Sequence, residues 1–437
     1  MLLERKVGVE RRGLRADLVD AVARVASVHR DDHLAAGAFG HIPTERERGR
    51  RRPRNGTESF EHRCCFGAHG HDDDDPFHVG RSYAGCPTPP LAPIGRARKN
   101  VAMSDSSAIS HGLDFVRERF VETNGIRMHV VEAGPVDGPA VVLCHGFPES
   151  WYSWRHQLRA LGAAGYHVIA PDQRGYGQTD MPDDIDSYTQ LHLVADLVGL
   201  LDASGIERAV VVGHDWGAPV AWNAAALRPD RFVAMSALSV HWSGYHPYTG
   251  PPTASMRDAL RGGFLYVLHF QEPGVAEAEL DSDIRATLGR FLYSLSGDIP
   301  RDQYRFFDAA ARDMSGVLVD APGPLPWLTA HDLDVFTAEF ERRGTFRGGI
   351  NWYRNIDANA ALLAAFVGRR VEQPALFIGA ERDSIFGQTR ESVDATRSAA
   401  PQLQQVWIAG SGHWVQQERP DEVNAALLDF LGALPRW

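Results

Sequence analysis

The sequence predicts an α/β protein: a mostly parallel central sheet with helices on both faces, interrupted by an inserted helical block. Three observations predict it. From about residue 114, short apolar runs bounded by turn residues alternate with stretches of helical periodicity, the pattern of a parallel sheet covered on both faces. The alternation stops near residue 240 and resumes near 374. The chain has 437 residues, 44% hydrophobic and 23% charged. That is an ordinary globular composition, with length for roughly two or three domains at about 150 residues each.

The elements follow in order. Residues 115–121 and 128–132 alternate and flank Asn124-Gly125, a hairpin turn signal. Residues 140–144 form a short apolar strand, 151–164 a helix, and 166–170 another strand before the turn-rich 171–180. An amphipathic helix spans 188–204. Apolar strand 209–212 leads into a helix that starts near Gly217, and 232–238 is a further strand. Residues 241–365 are rich in aromatics, proline and helix-like stretches, with no clear apolar strand. Strands at 374–378 and 405–408 and a helix at 421–433 then complete the pattern. The simplest organisation is an α/β core over 106–239 and 366–437, with 240–365 as a helical cap.

Residues 1–105 read differently. They hold a basic run (45–54), an acidic run (72–75) and a Pro-rich stretch (87–96). A helix at 14–29 is possible, but the composition predicts disorder. Such a basic run is usually a solvated segment. The group His62, Cys64, Cys65, His69 and His71 fits zinc spacing poorly, and Asn55-Gly56-Thr57 is a sequon with no meaning outside secretion. Met103 opens a stretch that looks like a normal protein start, so translation is expected to begin there.

Residues 1–102 carry a net charge of +4 and the remainder −15. An acidic body excludes a nucleic-acid surface, which needs a basic face. No run of about 18 apolar residues exists, so no membrane insertion is expected. The start lacks the apolar core of a signal peptide. Cys64, Cys65, Cys86 and Cys144 make no disulfide framework. The expectation is a cytoplasmic protein, monomer or homodimer.

The chemistry centres on Gly213-His214-Asp215-Trp216-Gly217, where a buried strand turns sharply into a helix. Flanking glycines permit a tight turn that exposes the middle residue. Here that residue is Asp215. A carboxylate is already ionised at neutral pH, so it can attack a saturated carbon without a base and form an ester. The bland alternative is a structural turn with a capping Asp. Three further positions favour chemistry. His145-Gly146-Phe147-Pro148 follows the strand at 140–144, Asp383 follows the strand at 374–378, and His413 follows the strand at 405–408. The order nucleophile, acid, histidine is that of hydrolases. His413 would activate water against the ester and Asp383 would fix its tautomer. Backbone N–H groups of Phe147 and Trp216 would stabilise the oxyanion.

At these residues the chain resembles the soluble-type epoxide hydrolases of the α/β-hydrolase fold. The resemblance covers residues 112–434. It rests on HGFPESWYSWRHQ (145–157), DQRGYGQTD (172–180), GHDWGAPVAW (213–222), FQEPGVAEAEL (270–280), FRGGINWYRN (346–355) and GHW (412–414). It implies hydrolysis of an apolar small-molecule epoxide to a vicinal diol, with water as co-substrate and no cofactor or metal. It also implies two lid tyrosines that hold and protonate the epoxide oxygen, at Tyr353 and Tyr266; Tyr293 and Tyr304 are rivals for the second. A cis bond is implied before Pro148. His269 stands where relatives often carry an aromatic residue. Trp352, Trp414 and Pro148 are candidates to line the substrate pocket, with core packing as the alternative for the tryptophans.

The nearest rival is a haloalkane or haloacid dehalogenase, which would use the same Asp, His and acid. Halide release needs N–H donors and no proton donor, so the tyrosines discriminate. Fluoroacetate-type relatives carry Arg after the nucleophile, where this chain has Trp216. A Ser esterase is excluded by Asp215. A non-catalytic small-molecule binder on the same fold is the reading from another class, disfavoured by the presence of all five side chains.

Overall fold

The computed structural model describes residues 110–383, 385 and 388–437. The readings made on residues 1–109, including Met103 as the start, lie outside them. The described strands form one sheet in the order β1-β2-β4-β3-β5-β6-β7-β8. They are β1 (Arg117–Thr123), β2 (Ile126–Ala133), β3 (Ala140–Cys144), β4 (His167–Pro171), β5 (Ala209–His214), β6 (Phe232–Leu238), β7 (Ala375–Ala380) and β8 (Leu403–Ile408). Asn124 and Gly125 turn the β1–β2 hairpin with φ of 42° and 79°, the two positive angles that a tight two-residue turn demands. β2 runs antiparallel to β1 and β4; from β4 to β8 every neighbouring pair is parallel. The α/β reading therefore holds. β3, β4 and β5 are buried at every residue, which is why they read as continuous apolar runs rather than alternations.

Helices α1 (Arg155–Ala163), α2 (Gln190–Ala203) and α3 (Gly217–Leu227) connect the first strands. Thr189 caps α2 by accepting from His192 N, and Gly205, at φ 66°, follows its end, the usual glycine exit. The helix read over 151–164 splits in two. Ser150 accepts from Tyr152 N and tightens Trp151–Trp154 into a 3₁₀ turn before α1 begins. β5 extends two residues past the predicted end, to His214, because Gly213 and His214 still pair with β6.

Between Leu238 and Ala375 the regular elements are helical: α4 (Pro252–Leu260), α5 (Tyr266–His269), α6 (Val275–Leu280), α7 (Ile284–Ser294), α8 (Ala330–Glu341), α9 (Arg347–Arg354) and α10 (Ile356–Leu363). A single isolated bridge, Leu325 to Leu328, is the β structure among the described residues there. After β7 come α11 (Arg390–Ala395), α12 (Val415–Glu418) and α13 (Pro420–Gly432). No helix among the described residues is long and apolar enough to cross a membrane.

Polar contacts fasten the helices between Leu238 and Ala375 to the 3₁₀ turn, to α1 and to the loop that follows β4. Tyr152 Oη donates to Asp332 Oδ1 at 3.0 Å, and Arg155 Nε lies 3.0 Å from the same oxygen. The other Asp332 oxygen accepts from Thr329 and closes the N-terminal cap of α8. Trp352 Nε1 donates to the Arg174 carbonyl at 3.1 Å. A Cβ on Gly348 would stand 1.9 Å from the Gly175 carbonyl oxygen, so the two backbones meet where only hydrogen fits.

The far end of α8 carries a less satisfied group. Glu339 is 7% exposed and its Oε2 accepts no hydrogen bond; Arg342 Nε lies 4.0 Å away. Burial, and then the charge of Asp172, push its carboxyl up to about 7, with Arg342 and His129 pulling down and Glu118 pushing up. The unfolded carboxyl titrates near 4.5. The folded protein thus keeps a proton that the unfolded chain releases, and stability falls as pH rises from 4.5 to about 7. Glu339→Gln should unfold at the same temperature as wild type below pH 4.5 and be more stable above pH 7, by on the order of 3 kcal/mol. Parallel melting curves across that range would refute this.

Candidate active site

Four loops leave the carboxyl ends of parallel strands on one edge of the sheet. β3 leads to Phe147, β5 to Asp215, β7 to Asp383 and β8 to His413. Ligands of open α/β sheets bind at that edge. Asp215 has φ 49°, a left-handed backbone that a non-glycine residue adopts only when its surroundings impose it. They do so here. A Cβ on Gly213 would stand 2.0 Å from the Gly217 carbonyl oxygen, and one on Gly217 would stand 2.0 Å from that of Cys144. The glycines let β5, its turn and α3 close on β3, and the turn projects Asp215 upward.

Phe147 N donates to Asp215 Oδ1 at 2.8 Å. A Cβ on Gly146 would lie 2.4 Å from both Asp215 Cβ and Oδ1, so this loop presses directly against the carboxylate. The Phe147–Pro148 bond is cis. His413 Nε2 lies 3.3 Å from Asp215 Oδ2, and its Nδ1 lies 3.0 Å from Asp383 Oδ2. The remaining Asp383 oxygen accepts from Ile385 N at 2.9 Å. The histidine ring thus spans two carboxylates in a buried site. Burial opposes its charge, but Asp383 and then Asp215 outweigh burial and hold the imidazolium up to about 10.

Tyr266 lies on α5 and Tyr353 on α9; their rings are 5.7 Å apart, edge to face. Tyr353 packs 4.9 Å from the Trp216 ring and 5.4 Å from that of Phe147, the residues that flank Asp215. Tyr266 packs 4.7 Å from Phe306. Burial raises both phenols. Tyr266 and Asp215 push Tyr353 further, and Asp215 does the same to Tyr266. Both therefore remain protonated donors. The structure brings Tyr266 against Tyr353, while the Tyr304 ring packs on Phe307. His269 hydrogen-bonds Glu279 at 2.9 Å.

Trp352 and Trp414 are 1% and 0% exposed. Their indole N–H groups donate to backbone, Trp352 to Arg174 and Trp414 to the Leu292 carbonyl at 2.8 Å. Trp414 stands 4.9 Å from the His413 ring and Trp352 6.2 Å from that of Trp216. Both brace site residues from behind.

Sequence reasoning missed a buried polar layer beneath the site. Glu149 Oε2 accepts from Gly146 N at 2.9 Å and lies 2.7 Å from His214 Nδ1. His214 Nε2 reaches the His413 carbonyl at 2.8 Å, and Ser239 Oγ donates to that same oxygen at 3.1 Å. Burial raises the Glu149 carboxyl, but His214 and the Gly146 N–H reverse this and hold it down to about 2. Glu149 and His214 both stand inside motifs quoted above, but nothing in their spacing shows that they meet.

Residues 139–420 match the family described as the alpha/beta hydrolase fold. The chain is 48% identical over 320 residues to epoxide hydrolase A of Mycobacterium tuberculosis, covering 72% of this chain and 98% of that protein. It is 40% identical over 329 residues to epoxide hydrolase 2 of Siraitia grosvenorii, covering 73% and 99%. The crystal structure of epoxide hydrolase A from Mycobacterium thermoresistibile superposes with a TM-score of 0.68 at 47% identity, over 74% of this chain and all of that one. The chain belongs to the epoxide hydrolases of the α/β-hydrolase fold. Its resemblance to that family, drawn from the motifs, therefore holds.

In this epoxide hydrolase the turn glycines are fixed by contact, not by flexibility alone. Gly217→Ala drives a methyl into the Cys144 carbonyl and should lower stability by about 2–3 kcal/mol. Gly289→Ala, on α7 with its nearest neighbour 3.8 Å away, should be neutral or stabilising. Thermal unfolding of both variants tests this; equal melting temperatures would sink it.

Proposed function

We propose that the protein hydrolyses an apolar epoxide to a vicinal diol through an ester on Asp215, with 240–365 acting as a cap over a core of 106–239 and 366–437. The observation that carries this reading is the buried line Phe147 N, Asp215, His413, Asp383, faced by two phenols held protonated. Oδ1 of Asp215 is engaged by the Phe147 N–H, and Oδ2, beside the His413 ring, is the oxygen that attacks. It forms a bond to one oxirane carbon as the carbon–oxygen bond breaks. Tyr266 and Tyr353 hydrogen-bond the departing oxygen, and one of them gives it a proton, later recovered from solvent.

The resulting ester is neutral. It removes one of the two carboxylates that hold the His413 proton, so the imidazolium gives that proton to solvent and the neutral ring is left able to accept another. A water then loses its proton to His413 Nε2 and attacks Asp215 Cγ. The oxyanion forms at Oδ1, held by the N–H groups of Phe147 and Trp216. Its collapse releases the diol, which takes the proton from His413; the carboxylic acid left on Asp215 returns its own proton to the ring, and Asp383 keeps the ring oriented throughout. A dehalogenase would share the ester but have no use for two phenolic donors. Phe270 and Phe291 pack on the Phe147 ring and Phe306 packs on that of Tyr266, apolar surroundings that suit an apolar substrate.

The test is intact mass. His413→Gln mixed with styrene oxide should gain the full mass of the epoxide, and Asp215→Asn should gain nothing. An adduct from a chloroalkane but not from the epoxide would move the assignment to a dehalogenase, and no adduct from either would remove the covalent route. In the same assay Tyr353→Phe should form the ester about 10²-fold more slowly, the usual range for losing a positioned acid. Unchanged ester formation would take Tyr353 out of the reaction.

A further inference from the structure

The buried carboxylate of Glu418 has no part in the reaction described above, yet it reaches the backbone on both sides of His413. Glu418 ends α12 and is 5% exposed. Its Oε2 accepts from Gly412 N at 2.8 Å, and its Oε1 accepts from Trp414 N at 3.1 Å. Oε2 also accepts from Gly297 N at 2.8 Å, in the segment that follows α7. The backbone of His413 donates to the Leu295 carbonyl of the same segment at 2.9 Å. The two strands of chain cross without room for a side chain. A Cβ on Gly412 would lie 2.2 Å from Gly297 N, and one on Gly297 would lie 2.8 Å from Gly412 N and 2.9 Å from Glu418 Oε2.

We propose that Glu418 is a positioning residue for His413: its carboxylate clamps Gly412 N and Trp414 N, and so sets where the imidazole stands between Asp215 and Asp383. The inference rests on the reading of His413 as the base that hydrolyses the Asp215 ester. The chemistry requires a carboxylate. Three N–H donors converge on two oxygens. Burial pushes the carboxyl up to about 7 against the downward pull of these N–H groups, which favour the ionised form because it is acceptor-only at both oxygens. Glutamine keeps the shape but turns an NH₂ group toward one set of donors, so at least one N–H loses its acceptor in a buried place. The imidazole lies at the centre of this loop and has to meet a water and an ester carbon. Errors of about 1 Å in such placement cost on the order of 10²-fold. Ester formation does not use His413, so only the second step should respond.

The experiment is rapid-quench intact mass with styrene oxide on wild type, His413→Gln, Glu418→Gln and Glu418→Asp, with melting temperatures measured alongside. Glu418→Gln should form the ester within about twofold of the wild-type rate and hydrolyse it at least tenfold more slowly, so that the adduct accumulates. Glu418→Asp keeps both acceptors on a shorter arm. It should slow the same step less, and it serves if the glutamine variant does not fold. Equal slowing of both steps would mean a general loosening of the fold and would overturn the proposal. Slowing of ester formation alone would mean that Glu418 serves the tyrosine-bearing insertion, and unchanged kinetics would mean that it serves neither; both outcomes overturn it. Absence of an adduct in His413→Gln would instead remove the reading on which the proposal rests, a result distinct from an adduct in that variant and none in Glu418→Gln.

Discussion

The left-handed backbone of Asp215 is the constraint from which the rest of the site follows. A side chain at φ 49° cannot be relaxed into the strand or the helix on either side. It points out of the sheet edge, where the Phe147 loop, His413 and the tyrosines converge. The strain is tolerable because β3, β5 and α3 pack through glycine contacts that leave no alternative path for the chain. Those contacts in turn require the fully buried strands beneath them. Burial of apolar side chains in β3, β4 and β5, worth about 1.5–3 kcal/mol for each large one, fixes the frame that holds one unfavourable residue in place.

Much of this was legible from residue order. The apolar run 140–144 coincides with a strand because a strand covered on both faces has no polar positions to confuse the pattern. Asn124-Gly125 marked the hairpin because few residue pairs accept two positive φ angles. Asp215, Asp383 and His413 could be placed at strand ends because each follows such a run. Element ends were less legible. His214 looks like the start of a loop, yet it continues β5, since pairing with β6 and not its own propensity decides where the strand stops. The break of 151–164 into two helices depends on a single Ser150 hydroxyl.

What residue order could not show was contact between distant polar groups. Glu149, His214 and Glu418 carry no periodic signal, and each lies beside a more conspicuous residue. Their partners are 65, 199 and 121 positions away in sequence. Burial without partners would make each of them costly. Their acceptance in the core depends on donors and acceptors that only the folded chain assembles. The two tryptophans proposed for the pocket illustrate the same limit: the sequence marks them as large aromatics near the site, while their indole N–H bonds show what they brace.

The seam at Gly297 and Gly412 has a consequence for motion. The segment leaving α7 is bonded to the backbone that carries His413, through the Leu295 carbonyl on one side and Glu418 on the other. On the proposed reading, a cap that swung as a rigid door about this point would drag His413 with it. On the function proposed above, any opening of 240–365 is expected elsewhere along it, with the seam as the doorpost. His413 is thereby tied to the segment that leaves α7 as firmly as to its own strand end.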